Sequence, residues 1–481
     1  MESDAQIRQE NVKRLEARFK DRIREVKNLT EFLESPRFEF IILYGRRRIG
    51  KTALALFVAR NKPFIYYFAK ESPVNSSQNL LDFYQVCASR FPELQKFKPD
   101  YKILIEFLQD KVTVIIFDEV QHMVKEDPKL PGIFAECFDQ LRLYQKHPLK
   151  ILMLGSSISL IKEDLLRDPS PLYGRKTWDL KLQAINVFDL RSFFPGATLE
   201  EIIEIYGFAD GIPYYLEDIQ LPFWNWLGRQ FRDGKFPMNE IEWLLKMEFR
   251  EQSRYLAILE AIAAGNTTNK AILDRVFKEP TPSSNLTRYL EKLLTVDFIK
   301  KEFPVLDNPL KSRLGRYYLS DNFLKFWFRF VVPNRSGIQA GIFNINIIKA
   351  QYSAYLGHIF EEVVRQYLIR NPLIPFSTIG RWWGKSQSET AEEIDLVAFD
   401  DSTQDVLLVE CKWQSDVVPA EICQVLSEKA TNLQFKRTTP SKIFVFAIFA
   451  KTFRKKMTTY QGTRVICVDL AKMNEETSTK T

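Results

Sequence analysis

The chain has 481 residues, of which 45% are hydrophobic and 27% are charged, and its formal net charge is +7. This composition is too apolar for an intrinsically disordered chain and too charged for a bundle of membrane helices. The five cysteines are widely spaced, with no C-x-x-C pair, so a disulfide scaffold and a cysteine-based zinc site are both disfavoured.

At roughly 150 residues per domain, the length allows about three domains. No apolar run approaches the ~20 residues that are needed to cross a bilayer, and the charged first residues do not form a signal peptide. We therefore expect a cytoplasmic protein with no membrane partner. The small basic excess permits a nucleic-acid partner but does not require one.

The first thirty residues carry mixed charges and predict one N-terminal helix (1–30). The apolar and β-branched run Phe38–Tyr44 predicts a strand that leads into a glycine. Further strands are predicted at Phe64–Phe68, Val112–Phe117 and Ile151–Leu154. Strands that alternate with helices indicate a parallel sheet in a three-layer α/β domain, which we assign to residues 31–198.

Between the first strand and the next helix, the sequence GRRRIGKT matches the phosphate-loop pattern G-x-x-x-x-G-K-[ST]. Its glycines let backbone N–H groups face phosphate oxygens, and the helix N-terminus adds partial positive charge. Lys51 is expected to reach the β- and γ-phosphates of ATP, and the Thr52 hydroxyl to ligate Mg²⁺. The predicted nucleotide-binding residues are Gly45, Arg46, Arg47, Arg48, Ile49, Gly50, Lys51 and Thr52.

Two acidic residues close the apolar strand VTVIIF, where a Walker B pair belongs. Asp118 is expected to hold Mg²⁺ through water, and Glu119 to polarise the water that attacks the γ-phosphate. The next predicted strand ends in two serines. Ser156 or Ser157 occupies the place of a γ-phosphate sensor there, and we assign Ser156.

Helices are predicted over residues 199–248, interrupted at Gly211-Ile-Pro213, and we interpret them as a lid. Residues 249–332 then predict three helices and two short strands, which is the pattern of a winged helix. Residues 246–330 contain 15 Lys and Arg against 10 Asp and Glu, which is most of the basic excess of the chain. Residues 333–351 are interpreted as a linker, and 471–481 as a polar tail.

Residues 352–470 open with a predicted helix and continue with strands at Glu393–Phe399, Val406–Trp413 and Ile443–Ile448. The first two strands flank a polar loop and predict a hairpin. If the loop is centred between residues 402 and 403, Asp395 lies opposite Glu410, with Cβ atoms ~5 Å apart.

Glu410 and Lys412 are two residues apart on one strand, so they share a face. Two close carboxylates repel each other, and a divalent cation would relieve the repulsion. We therefore predict that Asp395 and Glu410 ligate Mg²⁺ for phosphodiester hydrolysis, with Lys412 orienting water or stabilising charge. Glu361, on the preceding helix, is a further candidate ligand, and Glu362 competes with it.

The motifs GRRRIGKT, IIFDEVQ, LMLGSSISL, PLYGRKT and FADGIPYYL together resemble the archaeal-type ATPase family of signal-transduction NTPases, which is related to AAA+ proteins. The resemblance covers about residues 30–330, including the winged helix. It implies that the lid turn at Gly211 and Pro213 lies near the nucleotide. It also implies that Arg175 is a candidate arginine finger, alongside a plain intradomain salt bridge. Action on a neighbouring subunit would require a homo-oligomer.

The pattern Glu…Asp…Glu-x-Lys, with GRWWGKS before EEIDLVA, resembles the restriction-endonuclease-like PD-(D/E)XK superfamily, and specifically the nuclease-like domain that follows many archaeal-type ATPases. The usual proline before the first Asp is absent. The predicted fold class is therefore α/β throughout: a P-loop ATPase core with a helical lid, a winged helix and a C-terminal α/β restriction-endonuclease-like domain.

Three functions compete. The first is an ATPase that is coupled to a DNA-binding winged helix and a Mg²⁺-dependent nuclease. The second is an ATP-dependent regulator that binds DNA or protein and has an inert nuclease-like domain. The third is an NTPase scaffold that is recruited by a membrane or a partner and binds no nucleic acid. The complete set Asp395, Glu410 and Lys412 favours the first.

Overall fold

The computed structural model describes residues 19–144, 148–158, 161–249, 251–277, 282–305, 307–385, 391–403, 405–432 and 444–478. The chain divides into two compact units, of which the first contains Met1–Ile185 and Ile212–Asp218 and the second contains Asn186–Gly211 and Ile219–Thr481. The predicted boundary near residue 198 therefore differs from the division that the packing makes. No helix in the described ranges has both the length and the apolarity that a bilayer crossing demands.

In the first unit, the described residues form a five-stranded sheet in the order β2-β3-β4-β1-β5, with all pairings parallel. Its strands are β1 (Glu39–Tyr44), β2 (Phe64–Phe68), β3 (Val114–Asp118), β4 (Lys150–Gly155) and β5 (Trp178–Lys181). Its helices are α1 (Ile23–Glu34), α2 (Lys51–Ala59), α3 (Gln78–Arg90), α4 (Tyr101–Leu108), α5 (Gln121–Glu126), α6 (Leu130–Tyr144) and the short α8 (Pro213–Leu216).

The predicted central strands are confirmed with end shifts of one or two residues, whereas β5 was not predicted. Its alternating polar sequence, WDLK, gives no buried-strand signal, and all four of its residues are partly exposed. Within the range predicted for the N-terminal helix (1–30), the described helix is α1, which begins at Ile23, and residues 1–18 lie outside the described residues.

Buried aromatic rings fill the space between β3 and the helices on one face of the sheet. Phe117 packs against Phe83 and Phe134, with ring centroids 5.1 and 5.4 Å apart. Burial of each ring contributes roughly 1.5–3 kcal/mol of hydrophobic free energy. Because all pairings of this sheet are parallel, the carboxyl ends of its strands lie at one edge, where α/β proteins bind their ligands.

The second unit contains a two-stranded and a six-stranded sheet within the described residues. The helices are α7 (Leu199–Ala209), α9 (Phe223–Arg232), α10 (Glu240–Glu248), α11 (Gln252–Ala263), α12 (Asn269–Val276), α13 (Ser283–Thr295), α14 (Asn322–Phe326), α15 (Arg335–Gln339), α16 (Asn346–Arg370), α17 (Pro419–Asn432) and α18 (Leu470–Ser478). The strands are β6 (Ile299–Glu302), β7 (Arg316–Leu319), β8 (Thr378–Lys385), β9 (Ala391–Phe399), β10 (Val406–Lys412), β11 (Phe444–Ala450), β12 (Thr459–Tyr460) and β13 (Thr463–Asp469).

The six-stranded sheet has the order β12-β13-β11-β10-β9-β8 and mixes both pairings: β10–β11 and β11–β13 are parallel, and β8–β9, β9–β10 and β12–β13 are antiparallel. The hairpin register was predicted correctly. Val409 pairs with Leu396 and Val406 with Phe399, which is the register expected for a loop centred between residues 402 and 403.

The structure contains helices in two segments that the sequence analysis interpreted as a linker and a tail. The predicted linker (333–351) contains α15 and the first turns of α16, where Ile338 and Ile348 are buried. The predicted polar tail is largely α18, because Met473 and Thr477 are buried against the unit despite the polar sequence around them. In both segments, a few buried residues within a polar stretch pack against the rest of the unit and stabilise the helix.

Candidate functional sites

The phosphate loop has the backbone that its pattern predicts. Gly50 caps α2 with a left-handed conformation (φ 91°), and a Cβ on Gly45 would lie 2.7 Å from the Leu182 carbonyl oxygen. Glycine is therefore required at both positions, by conformation at one and by space at the other. Pro213, which was assigned to the nucleotide site, lies against Gly50: a Cβ there would be 3.6 Å from its ring.

Lys51 is 6% exposed, and its Nζ donates to the carbonyls of Gly45 (2.9 Å) and Arg46 (3.0 Å). Beside it, the Thr52 hydroxyl donates to Asp118 Oδ2 at 2.6 Å. The Tyr66 hydroxyl donates to the same oxygen at 3.0 Å. Tyr66 was not predicted, because only the pairing of β2 with β3 brings it beside Asp118.

Glu119 lies between three polar partners. Ser156 Oγ donates to its Oε2 at 2.6 Å, the Gln121 amide contacts the same oxygen, and Arg47 Nη1 lies 3.9 Å from Oε1. Burial alone would raise the pKa of Glu119, but the Ser156 hydrogen bond and the charges of Arg47 and Lys51 outweigh it and lower the pKa. Glu119 is therefore anionic at neutral pH. Burial raises the pKa of its neighbour Asp118.

The other predicted residues of the nucleotide site make contacts within their own units. Arg48 stacks on the Tyr214 ring, with its guanidinium carbon 3.8 Å from the centroid, and the Ile49 carbonyl accepts a bond from the buried Arg22 (2.8 Å). Arg175 forms a two-point ion pair with Asp139 (2.9 and 2.8 Å). This contact matches the alternative of an intradomain salt bridge. The other lid residue, Gly211, belongs to the second unit, where its N–H donates to Asp210.

A second cluster, here called the acidic pocket, contains Glu361 on α16, Asp395 on β9 and Glu410 on β10. Asp395 Oδ2 accepts a hydrogen bond from the Cys411 N–H (2.8 Å), so its side chain lies against the Glu410–Lys412 strand end. Burial, followed by the negative charges of Glu410 and Glu361, raises the pKa of Asp395. The three carboxyl groups therefore share one electrostatic environment, as the hairpin register predicted for two of them.

Basic side chains accompany each of the two outer carboxylates. Lys412 Nζ donates to Glu410 Oε1 at 2.6 Å, and Lys429 Nζ lies 3.9 Å from Oε2. Arg381 Nε lies 3.1 Å from Glu361 Oε2. The competing candidate, Glu362, points elsewhere and binds Arg365 (2.7 and 2.8 Å). Arg381 and Lys429 were not predicted; Arg381 lies in the noted GRWWGKS motif, but nothing in that motif indicated its partner.

The oxygen donors of both sites suit Mg²⁺ chemically. Thr52 and Asp118 offer a hydroxyl and a carboxylate, and Glu410 Oε2 is buried without a hydrogen-bond partner among the described residues. The described ranges hold no group of three or more His, Cys, Asp or Glu side chains arranged for a metal ion. In the acidic pocket, Arg381 and Lys412 contact the carboxylates that such a group would need.

Comparison with known proteins gives two family matches. Residues 19–219 match a family described as an ATPase domain predominantly from Archaea. Residues 327–431 match a second family, described as "Archaea bacterial proteins of unknown function". An uncharacterized protein of Methanocaldococcus jannaschii is 44% identical over 404 residues, which is 82% of this chain and 88% of that protein.

Among solved structures, a Walker-type ATPase of Pyrococcus abyssi is similar with a TM-score of 0.52 and 24% identity, covering 65% of this chain and 96% of that one. The ORC2 protein of Aeropyrum pernix is similar with a TM-score of 0.42 and 14% identity, covering 67% and 95%. The first likeness supports a parallel-sheet core of the P-loop ATPase type.

Proposed function

Because this chain belongs to the archaeal ATPase family, we propose that it binds and hydrolyses ATP at the phosphate loop and couples this reaction to DNA. In this proposal the second unit supplies a winged helix, formed by α11–α13 with β6 and β7, and a Mg²⁺-dependent nuclease domain on the six-stranded sheet. ATP binding and hydrolysis rearrange the lid helices and thereby change access to the acidic pocket.

In the ATP reaction, Lys51 neutralises charge on the β- and γ-phosphates, and Thr52 and Asp118 hold Mg²⁺. Mg²⁺ held by these two residues would offset the negative charge that develops on the phosphate oxygens. Glu119 is anionic at neutral pH, so it accepts hydrogen bonding from the attacking water and polarises it. Water adds to the γ-phosphorus as the bond to the bridging oxygen of ADP breaks. Ser156 is the proposed sensor of the γ-phosphate.

In the nuclease reaction, Asp395 and Glu410 would hold Mg²⁺, and Glu361 is the further candidate carboxylate. The chemistry that Mg²⁺ would supply there is activation of a water molecule and stabilisation of charge on the phosphorus that is attacked. Lys412 orients the water or offsets developing charge. Arg381 and Lys429 compensate the carboxylates before the ion binds, since each is within 4 Å of a pocket carboxylate.

The DNA-binding part of the proposal is supported by charge. Exposed basic side chains lie on the helices of the three-helix segment, among them Lys270, Arg275, Arg288 and Lys292. Phosphate contacts by such residues release counterions, so affinity for DNA should fall steeply as salt rises. A surface that binds protein instead should show a weaker dependence on salt.

The single observation that carries the nuclease proposal is the hydrogen bond from the Cys411 N–H to Asp395 at the end of the β9–β10 register, because it supports a position for Asp395 near its predicted partners. The test incubates the full chain with labelled duplex, single-stranded and branched DNA and with RNA, with and without ATP and Mg²⁺ or Mn²⁺. We expect metal-dependent cleavage that is lost in Asp395→Ala. Cleavage that survives in Asp395→Ala would come from another site or from a contaminant, and would contradict the proposal.

A second function, an ATP-dependent regulator with an inert nuclease-like domain, is favoured by a different observation. Lys412 and Arg381 form ion pairs with Glu410 and Glu361, so two of the three pocket carboxylates have a basic partner without an ion. If no substrate is cleaved while DNA is bound with steep salt dependence, this function replaces the first. Absence of both cleavage and DNA binding would instead favour a scaffold that recruits proteins.

A further inference from the structure

The turn that follows β3 brings a glutamine next to Glu119. β3 ends at Asp118, Glu119 has a left-handed backbone (φ 53°), and α5 begins at Gln121. The Val120 N–H donates to the Leu154 carbonyl of β4 at 3.0 Å. This bond fixes the turn against the neighbouring strand end, where Ser156 follows.

Three side chains close a polar triangle at this point. The Ser156 hydroxyl donates to Glu119 Oε2 (2.6 Å), the Gln121 amide nitrogen donates to the same oxygen, and that nitrogen also lies 3.4 Å from Ser156 Oγ. Gln121 is 3% exposed and Ser156 is 5% exposed. Water therefore has little access with which to replace either contact.

The orientation of the glutamine amide is set by the carboxylate. Gln121 Oε1 is buried and has no hydrogen-bond partner among the described residues, whereas its nitrogen meets two acceptors. A reversed amide would direct its oxygen at the Glu119 carboxylate, and two acceptors repel each other. The strand also leaves room for this group, because a Cβ on residue 155, a glycine, would lie 2.9 Å from Oε1.

From this geometry we infer that Gln121 is a positioning residue of the ATPase site, which with Ser156 holds the Glu119 carboxylate in one orientation toward the attacking water. The inference rests on the proposed role of Glu119. An unpartnered buried acceptor is unfavourable by itself. Here the unpartnered oxygen belongs to an amide whose N–H group binds the Glu119 carboxylate, and we infer that this second contact is the reason why the fold tolerates the cost.

The test measures kcat and KM for ATP with the full chain and its Gln121→Ala, Gln121→Glu and Glu119→Gln variants. Gln121→Ala should lower kcat about 10- to 100-fold, since a small misplacement of a catalytic group is sufficient for such a loss. KM should stay within about twofold, because the amide contacts Glu119 and not the phosphate loop. Gln121→Glu keeps the volume but replaces the donor by an acceptor, and should lose at least as much.

Two further variants separate positioning from structure. Gln78→Ala removes a glutamine whose amide binds Asp82 (2.7 Å) on an exposed helix face, and should leave kcat unchanged. In the Glu119→Gln background, Gln121→Ala should have no further effect, because residues that act as one unit are not additive.

The outcomes separate the two proposals. Unchanged turnover in Glu119→Gln removes the role of Glu119, and the inference fails with it. If Glu119→Gln is impaired, the inference alone is overturned by unchanged kcat in Gln121→Ala, by additive losses in the double variant, or by a parallel rise in KM. Loss of cooperative unfolding in both Gln121→Ala and Gln121→Glu would assign the residue to structure and would also overturn it.

Discussion

The phosphate loop and the acidic pocket each hold a buried or half-buried lysine near carboxylates, but the two lysines have different partners. Lys51 Nζ donates to two carbonyls of its own loop, and its positive charge also contributes to lowering the pKa of Glu119. Lys412 Nζ donates to the Glu410 carboxylate, so its charge is already compensated. The loop lysine is therefore held in part by backbone carbonyls, whereas a cation that enters the pocket must compete with a lysine that is already paired with a carboxylate.

The sharpest test of this comparison is Lys51→Ala. Without the Lys51 ammonium group, no positive charge from this residue stabilises the phosphoryl group during its transfer. We therefore expect ATP turnover to fall about 100- to 1,000-fold. Release of inorganic phosphate measures it. Lys125→Ala, in which an exposed surface pair with Glu71 is lost, is the matched control and should remain within twofold of wild type. Turnover of Lys51→Ala near the wild-type value would break the comparison.

A smaller effect is expected from Lys412→Met. The substitution removes the lysine that lies 2.6 Å from the buried Glu410 carboxylate. The free energy of unfolding should fall by only about 1–2 kcal/mol, because the Lys412 side chain is 37% exposed and water already screens the pair. Urea unfolding followed by tryptophan fluorescence measures the change.

Adding Glu410→Gln to Lys412→Met should restore most of the lost stability, since the unpaired charge is then removed. The exposed Lys455→Met is the control, with an expected change below about 0.5 kcal/mol. A double variant that is no more stable than Lys412→Met would show that the pocket charges are not coupled in this way.

The smallest effect is expected from Arg175→Ala. Its ion pair with Asp139 is partly exposed, so its removal should cost only about 0.2–1 kcal/mol. ATP turnover should remain within about twofold of wild type if Arg175 serves this pair alone. An arginine finger would instead lose about 1,000-fold or more, and a loss that large would move Arg175 from the salt bridge into the ATP site.

The sequence was most informative where chemistry is carried by neighbouring residues. The phosphate loop, Asp118-Glu119 and the β9–β10 register follow from short patterns, since backbone conformation and a strand period of two act locally. Prediction failed where residues meet only through packing. Tyr66 reaches Asp118 because β2 pairs with β3, and Arg381 reaches Glu361 because β8 and α16 belong to one unit. No spacing in the chain records either contact.

By itself, then, the order of amino acids determined the parallel-sheet fold class, the acidic strand ends and the register of the β9–β10 hairpin. Only the tertiary structure decided how polar and charged groups are distributed around them: the Tyr66 hydroxyl on Asp118, the Ser156 hydroxyl on Glu119, and Arg381 beside Glu361. The physical reason is that side-chain electrostatics depend on distances of 3–4 Å between distant parts of the chain, which a linear pattern does not specify.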